Sequence, residues 1–136
     1  MPLSHYKDKT LLIVDDNKLV RKIINQYLNK MGFEEIFFAE NATEALTFLR
    51  QNQVDLLLTD IHMPVVSGLT LLKTIRNNPT FKNLKVLVIS SENGLQYIKT
   101  AMSLGINGYL VKPIQENDLQ KKIEAVFKQE QPSQDS

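Results

Sequence analysis

The sequence predicts an α/β sandwich built on one parallel sheet, because short apolar runs and helix-period stretches alternate five times along the chain. The apolar runs lie at residues 11–14, 36–39, 54–58, 86–89 and 109–111. They are rich in β-branched and large side chains and too uniformly apolar for a sheet with one wet face. Strands covered on both sides read this way.

The intervening stretches read as helices. Leu19, Val20, Ile23, Ile24, Tyr27, Leu28 and Met31 form an i, i+4 stripe that stops at Gly32. Asn41 followed by Glu44 has the spacing of a capping box, opening a helix that buries Ala45, Leu46 and Leu49. A third helix starts near Ser67, turns Leu69, Leu72 and Ile75 inward, and stops near Asn77, Asn78 and Pro79. A fourth covers roughly 95–104 and ends at Gly105, and a fifth carries Leu119, Ile123, Val126 and Phe127.

The chain has 136 residues, 43% of them hydrophobic, which suits one domain with one core. At this size folding buries about two thirds of the unfolded surface, enough to need no staple. The absence of cysteine excludes disulfides, thiolate metal sites and thiol catalysis. The start is polar and no apolar run nears the roughly 18 residues of a membrane span, so a cytoplasmic protein with no membrane contact is expected. Residues 1–9 read as a polar extension, 10–128 as the domain, and 129–136 as a disordered tail or the start of a linker. A net charge of +1, from 16 basic and 15 acidic residues, argues against direct nucleic-acid binding. The basic doublets Arg21-Lys22 and Lys121-Lys122 read as solvated helix faces.

In an open parallel sheet, chemistry belongs outside the carboxyl ends of the strands. Asp15 and Asp16 follow the first run, Asp60 the third, Ser90 and Ser91 close the fourth, and Lys112-Pro113 follow the fifth. Taken singly, each is ordinary turn or cap chemistry. Together at one sheet edge they suit phosphoryl transfer. Three converging carboxylates repel unless a cation joins them, and oxygen donors of this kind suit Mg²⁺. A carboxylate can itself be the nucleophile, and the transferring group needs several donors around its oxygens. The Ser90 hydroxyl and the Lys112 ammonium are candidates for two of them. No GxxxxGK or GxGxxG loop is present, which argues against nucleotide phosphates.

Four segments, LLIVDDN (11–17), DIHMPVVSG (60–68), VLVISS (86–91) and GYLVKP (108–113), resemble the receiver domain of response regulators, the CheY-like family of two-component signalling. The resemblance spans roughly residues 9–128. It implies a doubly wound, flavodoxin-like sheet of order 2-1-3-4-5 flanked by five helices, an order carried over from that family. It also implies that Asp60 is the phosphoacceptor, that Asp16 and Asp60 hold Mg²⁺ (or Mn²⁺) directly, that Asp15 acts through a metal-bound water, and that the His62 backbone carbonyl adds a ligand. Lys112 would pair with Asp60 and then with the phosphate, and its bond to Pro113 is expected to be cis, against a base rate of about 5–6%. Met63, Pro64 and Gly68 read as loop shapers, with Gly68 freeing the backbone and Pro64 fixing φ.

Ser90 and Tyr109 resemble the family's switch pair: the hydroxyl moves to the phosphate and the ring turns into the vacated space. A partly buried strand aromatic is the rival reading of Tyr109. His62 and Glu92 stand where the family tunes hydrolysis, with an exposed loop histidine as the plainer reading of His62. Ile106 departs from the usual Ala, which implies local repacking beside the fourth helix. The implied partners are a histidine kinase or phosphotransfer protein and an unnamed downstream protein that meets the face of helix four, strand five and helix five. The domain is expected to be a monomer, with phosphorylation-linked dimerisation left open, and to act only on itself, as no ordinary enzyme. A receiver fold kept only for docking is one alternative. A haloacid-dehalogenase-type phosphatase is another, but that family needs a D-x-D pair on strand one, where adjacent acids stand here. An FMN carrier shares the sheet order, but the loop after the first run has no Ser/Thr/Gly-rich phosphate cradle.

Overall fold

The computed structural model describes residues 6–62 and 67–128. β1 (Thr10–Val14) leads into α1 (Lys18–Met31), and β2 (Glu35–Ala39) into α2 (Ala42–Gln51). β3 (Leu56–Thr59) precedes α3 (Gly68–Arg76) and a 3₁₀ turn at Pro79–Phe81. β4 (Lys85–Ser90) is followed by α4 (Leu95–Ser103), then β5 (Gly108–Val111) by α5 (Glu116–Lys128). All pairings are parallel and the order is β2-β1-β3-β4-β5, as the family resemblance implied.

Strand alternation divides the interior into two layers. Leu12, Val14, Leu57, Val86 and Val88 face one side and pack with Ala45 of α2, Leu72 and Ile75 of α3, and Ala101 of α4. Leu11, Ile13, Leu56, Leu58, Leu87 and Ile89 face the other, against Ile24 and Leu28 of α1 and Ile123 and Phe127 of α5. Each such fully buried aliphatic side chain contributes about 1.5–3 kcal/mol. Ile106 is buried in the first layer, the one that also holds Ala101 of α4.

Coverage on both faces holds for β1, β3 and β4 and fails for β2, an edge strand whose Phe37 and Phe38 are 38% and 47% exposed. Phe37 leans on Phe48 of α2 at 5.0 Å between centroids, which shields part of it. β3 starts later than its apolar run, and just ahead of it the Asp55 N–H donates to the Thr10 carbonyl while its carboxylate accepts the Thr10 N–H, each at 2.8 Å. On α1 the apolar stripe is wider than the buried face: Ile24, Leu28 and Met31 are enclosed, while Leu19 (64%) and Ile23 (36%) face outward.

The ends of the helices follow their capping chemistry. Asn17 Oδ1 accepts the Leu19 and Val20 N–H groups, and Gly32, at φ 105°, closes α1 in the left-handed region. Asn41 caps the Glu44 N–H at 2.8 Å, but the Glu44 carboxylate returns to the Glu40 N–H, one residue earlier than a capping box requires.

Gly68 differs from expectation in its reason. Positive φ belongs to Gly32 and Gly105, whereas Gly68 is the buried first residue of α3. A Cβ there would overlap the Asp60 carbonyl oxygen and the Ile61 Cα, and the Gly68 N–H donates to the Ile61 carbonyl at 2.8 Å. The residue is needed for close approach of α3 to the end of β3. Met63 and Pro64, expected to shape the same loop, lie outside the described residues, as do 1–5 and the tail 129–136. Gly68→Ala is expected to lower stability by roughly 1–3 kcal/mol, read as a shift in the urea midpoint. An unchanged midpoint contradicts the close approach.

Candidate functional site

Strand register brings the predicted residues to one edge. Val14 is level with Thr59, so Asp15 and Asp60 leave the sheet side by side. The Asp60 N–H donates to the Val14 carbonyl at 3.0 Å, and Asp15 N–H to the Ala39 carbonyl at 3.2 Å. Thr59 pairs with Val88, and Ser90 with Val111, which sets Ser90 and Lys112 next along the same edge.

Asp15 and Asp60 are 2% and 7% exposed, and Asp16 is exposed. One carboxylate oxygen from each lies within 4.8 Å of the other two. Lys112 Nζ donates to Asp15 Oδ2 at 2.8 Å and to Asp60 Oδ2 at 3.0 Å. Asp60 Oδ1 accepts the N–H groups of Ile61 (2.6 Å) and His62 (3.1 Å), and Asp15 Oδ1 accepts that of Asn17 (2.9 Å). These donors offset the mutual repulsion of the two carboxylates. Burial alone draws the Lys112 ammonium down, but its hydrogen bonds to Asp15 and Asp60, with their charges, outweigh that and hold it above the ordinary lysine value. The Lys112–Pro113 peptide is cis.

Ser90 is fully buried, and its Oγ accepts the Glu92 N–H at 3.1 Å. Tyr109 is half-buried against the first core layer, and its hydroxyl donates to the Glu92 carbonyl at 2.7 Å. Burial pushes the Tyr109 phenol up; the Ser90 hydroxyl pulls it down, and the Glu92 and Asp60 charges raise it again. His62 is an exposed loop residue, yet its Nε2 lies 3.1 Å from Glu92 Oε2 and its ring meets Tyr97 of α4 edge-on at 5.6 Å. His62 and Glu92 therefore span the mouth of the site from the loops after β3 and β4.

The donor set fits a hard divalent cation. Three carboxylates converge, the Asp16 carboxylate has no hydrogen bond or ion pair among the described residues, and oxygen is the only ligand type offered. An exposed carboxylate beside two buried ones leaves room for the waters that Mg²⁺ keeps.

One participant was hidden in the sequence. Arg21 is half-buried and its Nη1 donates to the Asp15 carbonyl at 2.6 Å, so it does not belong to the solvated face expected of the Arg21-Lys22 doublet. Its signal was position: Asn17 caps α1, and four residues later the helix turns back toward the loop it left. Thr59 was likewise passed over; its buried hydroxyl donates to the Asp60 carbonyl at 2.9 Å.

The model of the response regulator receiver domain matches residues 11–124. Chemotaxis protein CheY1 of Helicobacter pylori is 38% identical over 118 residues, covering 86% of this chain and 95% of that protein. Chemotaxis protein CheY of Pseudomonas aeruginosa is 38% identical over 117 residues, covering 86% and 94%. Among solved structures, a putative response regulator from Chloroflexus aurantiacus aligns with TM-score 0.83 at 30% identity, covering 88% of this chain and 98% of that one.

Because its folded pKa is raised, the contribution of Lys112 to stability is fully present below about pH 10.4 and fades as pH rises through the folded value. Lys112→Met is expected to lower the urea midpoint by the same margin from about pH 7 to about pH 9.5, the gap closing only above about pH 10.4. A gap that already narrows by about pH 9 contradicts the assigned pairing.

Proposed function

Because the chain belongs to the response regulator receiver family, we propose that it is a phosphorylation-operated signalling switch with Asp60 as its acceptor. The observation that carries this reading is the Lys112 ammonium shared between the Asp15 and Asp60 carboxylates at the carboxyl edge of the sheet. Proteins of this family are signalling proteins and not ordinary enzymes; the activity proposed here is self-directed, gaining and losing its own phosphoryl group.

The donor is a phosphohistidine on a kinase or phosphotransfer protein. A carboxylate oxygen of Asp60 forms the new P–O bond as the P–N bond breaks, and the leaving imidazole keeps its electron pair and takes a proton from water. Asp15, Asp16 and Asp60, with the His62 backbone carbonyl, would hold Mg²⁺ or Mn²⁺, which neutralises charge on the phosphoryl oxygens when bound. Lys112 supplies a second positive group and is already held at the acceptor. The Ser90 hydroxyl supplies a third donor: its oxygen accepts from the Glu92 N–H, and its proton would turn from the neighbouring Tyr109 oxygen to the phosphate. The Ile61 and His62 amides orient the Asp60 carboxylate.

Switching is assigned to Ser90 and Tyr109. Both engage Glu92, one at its N–H and the other at its carbonyl, so a shift of Ser90 toward a phosphate acts on the loop that receives Tyr109. The readout face is α4, β5 and α5, where Tyr97, Met102 and Val111 are exposed. His62 and Glu92, paired across the mouth, control the approach of water to the phosphoryl group. The downstream target is a protein, the setting is the cytoplasm, and among the described residues no helix is long and apolar enough to cross a membrane.

Incubation with acetyl phosphate and Mg²⁺, followed by intact mass, is expected to add one phosphate to the protein. Addition should fail with chelator and in Asp60→Asn, and the adduct should decay about 3-fold or more faster in His62→Ala, on the scale of one lost hydrogen bond. An adduct that persists in Asp60→Asn overturns the acceptor assignment, and an unchanged decay removes His62 from the control of water.

A further inference from the structure

Of the three clustered acids, Asp16 is the one whose side chain no described residue holds. Asp15 is fixed at Oδ1 by the Asn17 N–H and at Oδ2 by Lys112, and Asp60 at Oδ1 by two amides and at Oδ2 by Lys112. No hydrogen bond or ion pair reaches the Asp16 carboxylate from any described residue. Its position near the other two therefore comes from the backbone that carries it.

That backbone has left the sheet. The last ladder bond on this side runs from Asp60 N–H to the Val14 carbonyl, so the Asp15 carbonyl has no strand partner there. Arg21 takes it, at 2.6 Å, from the second turn of α1. The Asp15 carbonyl and the Asp16 N–H share one peptide plane, so a guanidinium bond to that oxygen fixes the plane from which the Asp16 side chain departs. On the far side the Asn17 side chain caps α1, and the Arg21 N–H closes on the Asn17 carbonyl at 3.1 Å. The two-residue acidic loop is thus pinned at both ends by one helix.

We propose that Arg21 is a positioning residue of the cation site, holding the Asp15–Asp16 peptide so that the Asp16 carboxylate meets the ion without reorganising. The inference rests on the reading of the three acids as a Mg²⁺ site. It has a sign that tells it from simple charge: a cation beside the site repels Mg²⁺, so deleting Arg21 for charge alone tightens binding, whereas deleting a positioning group weakens it. Rigid placement of ligands matters here because Mg²⁺ demands near-ideal geometry.

The test is Mg²⁺ titration of the full chain by amide NMR shifts, with urea unfolding of each variant alongside. Arg21→Met is expected to raise the apparent Kd for Mg²⁺ by about 10-fold, the lower end of what loss of an outer-sphere partner costs at other metal sites. Arg21→Lys keeps one donor and the charge, and is expected to recover most of that loss. A Kd in Arg21→Met equal to or tighter than that of the parent, in protein that urea unfolding shows to be folded, overturns the proposal. So does a lowered urea midpoint with no change in Kd, which marks a purely structural tie. If the parent itself shows no Mg²⁺ shift at Asp15, Asp16 or Asp60, the cation site of the proposed function fails, and the proposal for Arg21 fails with it.

Discussion

The site depends on one ammonium placed between two buried carboxylates. Parallel register alone brings Asp15 and Asp60 together at the end of β1 and β3, where their like charges oppose close packing. Lys112 arrives from beyond β5, the far edge of the sheet, and donates to both. The contact closes the carboxyl edge across β4 and ties the last strand to the first. It also holds a positive group where a phosphoryl oxygen is proposed to sit, so the interaction that makes the fold tolerable is the one that prepares the chemistry.

Around this pair the loops are built with little slack. The Asp60 carboxylate is gripped by the amides that follow it, its carbonyl is taken by Thr59, and α3 starts so near that only glycine fits at position 68. The main chain that carries Asp60 is therefore in direct contact with the start of a helix. In the loop after β4, Glu92 is engaged three ways: its N–H by Ser90, its carbonyl by Tyr109 and its carboxylate by His62. One residue joins the proposed phosphate donor, the proposed switch ring and the mouth of the site. These contacts join the end of β4 to Tyr109 of β5 and, through His62, to Tyr97 of α4.

The central architecture was legible because its signal is burial on both faces. β1, β3 and β4 read as apolar runs since helices cover them twice, and their ends then located Asp15, Asp60 and Ser90. The same rule misjudged β2, where an edge strand carries two phenylalanines half in water, and α1, whose stripe includes Leu19 and Ile23 beyond the contact. Composition cannot tell an apolar residue that is covered from one that is not. Gly68 was flagged for the right place and the wrong reason, because close approach of two backbones leaves no periodic trace. Arg21 was read as surface for a related cause: its partner is a main-chain carbonyl, and carbonyls have no letter in a sequence.

Diffraction from a crystal soaked with Mn²⁺ and beryllofluoride tests the central claim most directly. The account predicts one anomalous Mn²⁺ peak enclosed by Asp15, Asp16 and Asp60, a beryllofluoride adduct on Asp60, and the Lys112 ammonium about 3 Å from a fluoride. An ion bound elsewhere, or an Asp60 left unmodified while the ion is present, would contradict it.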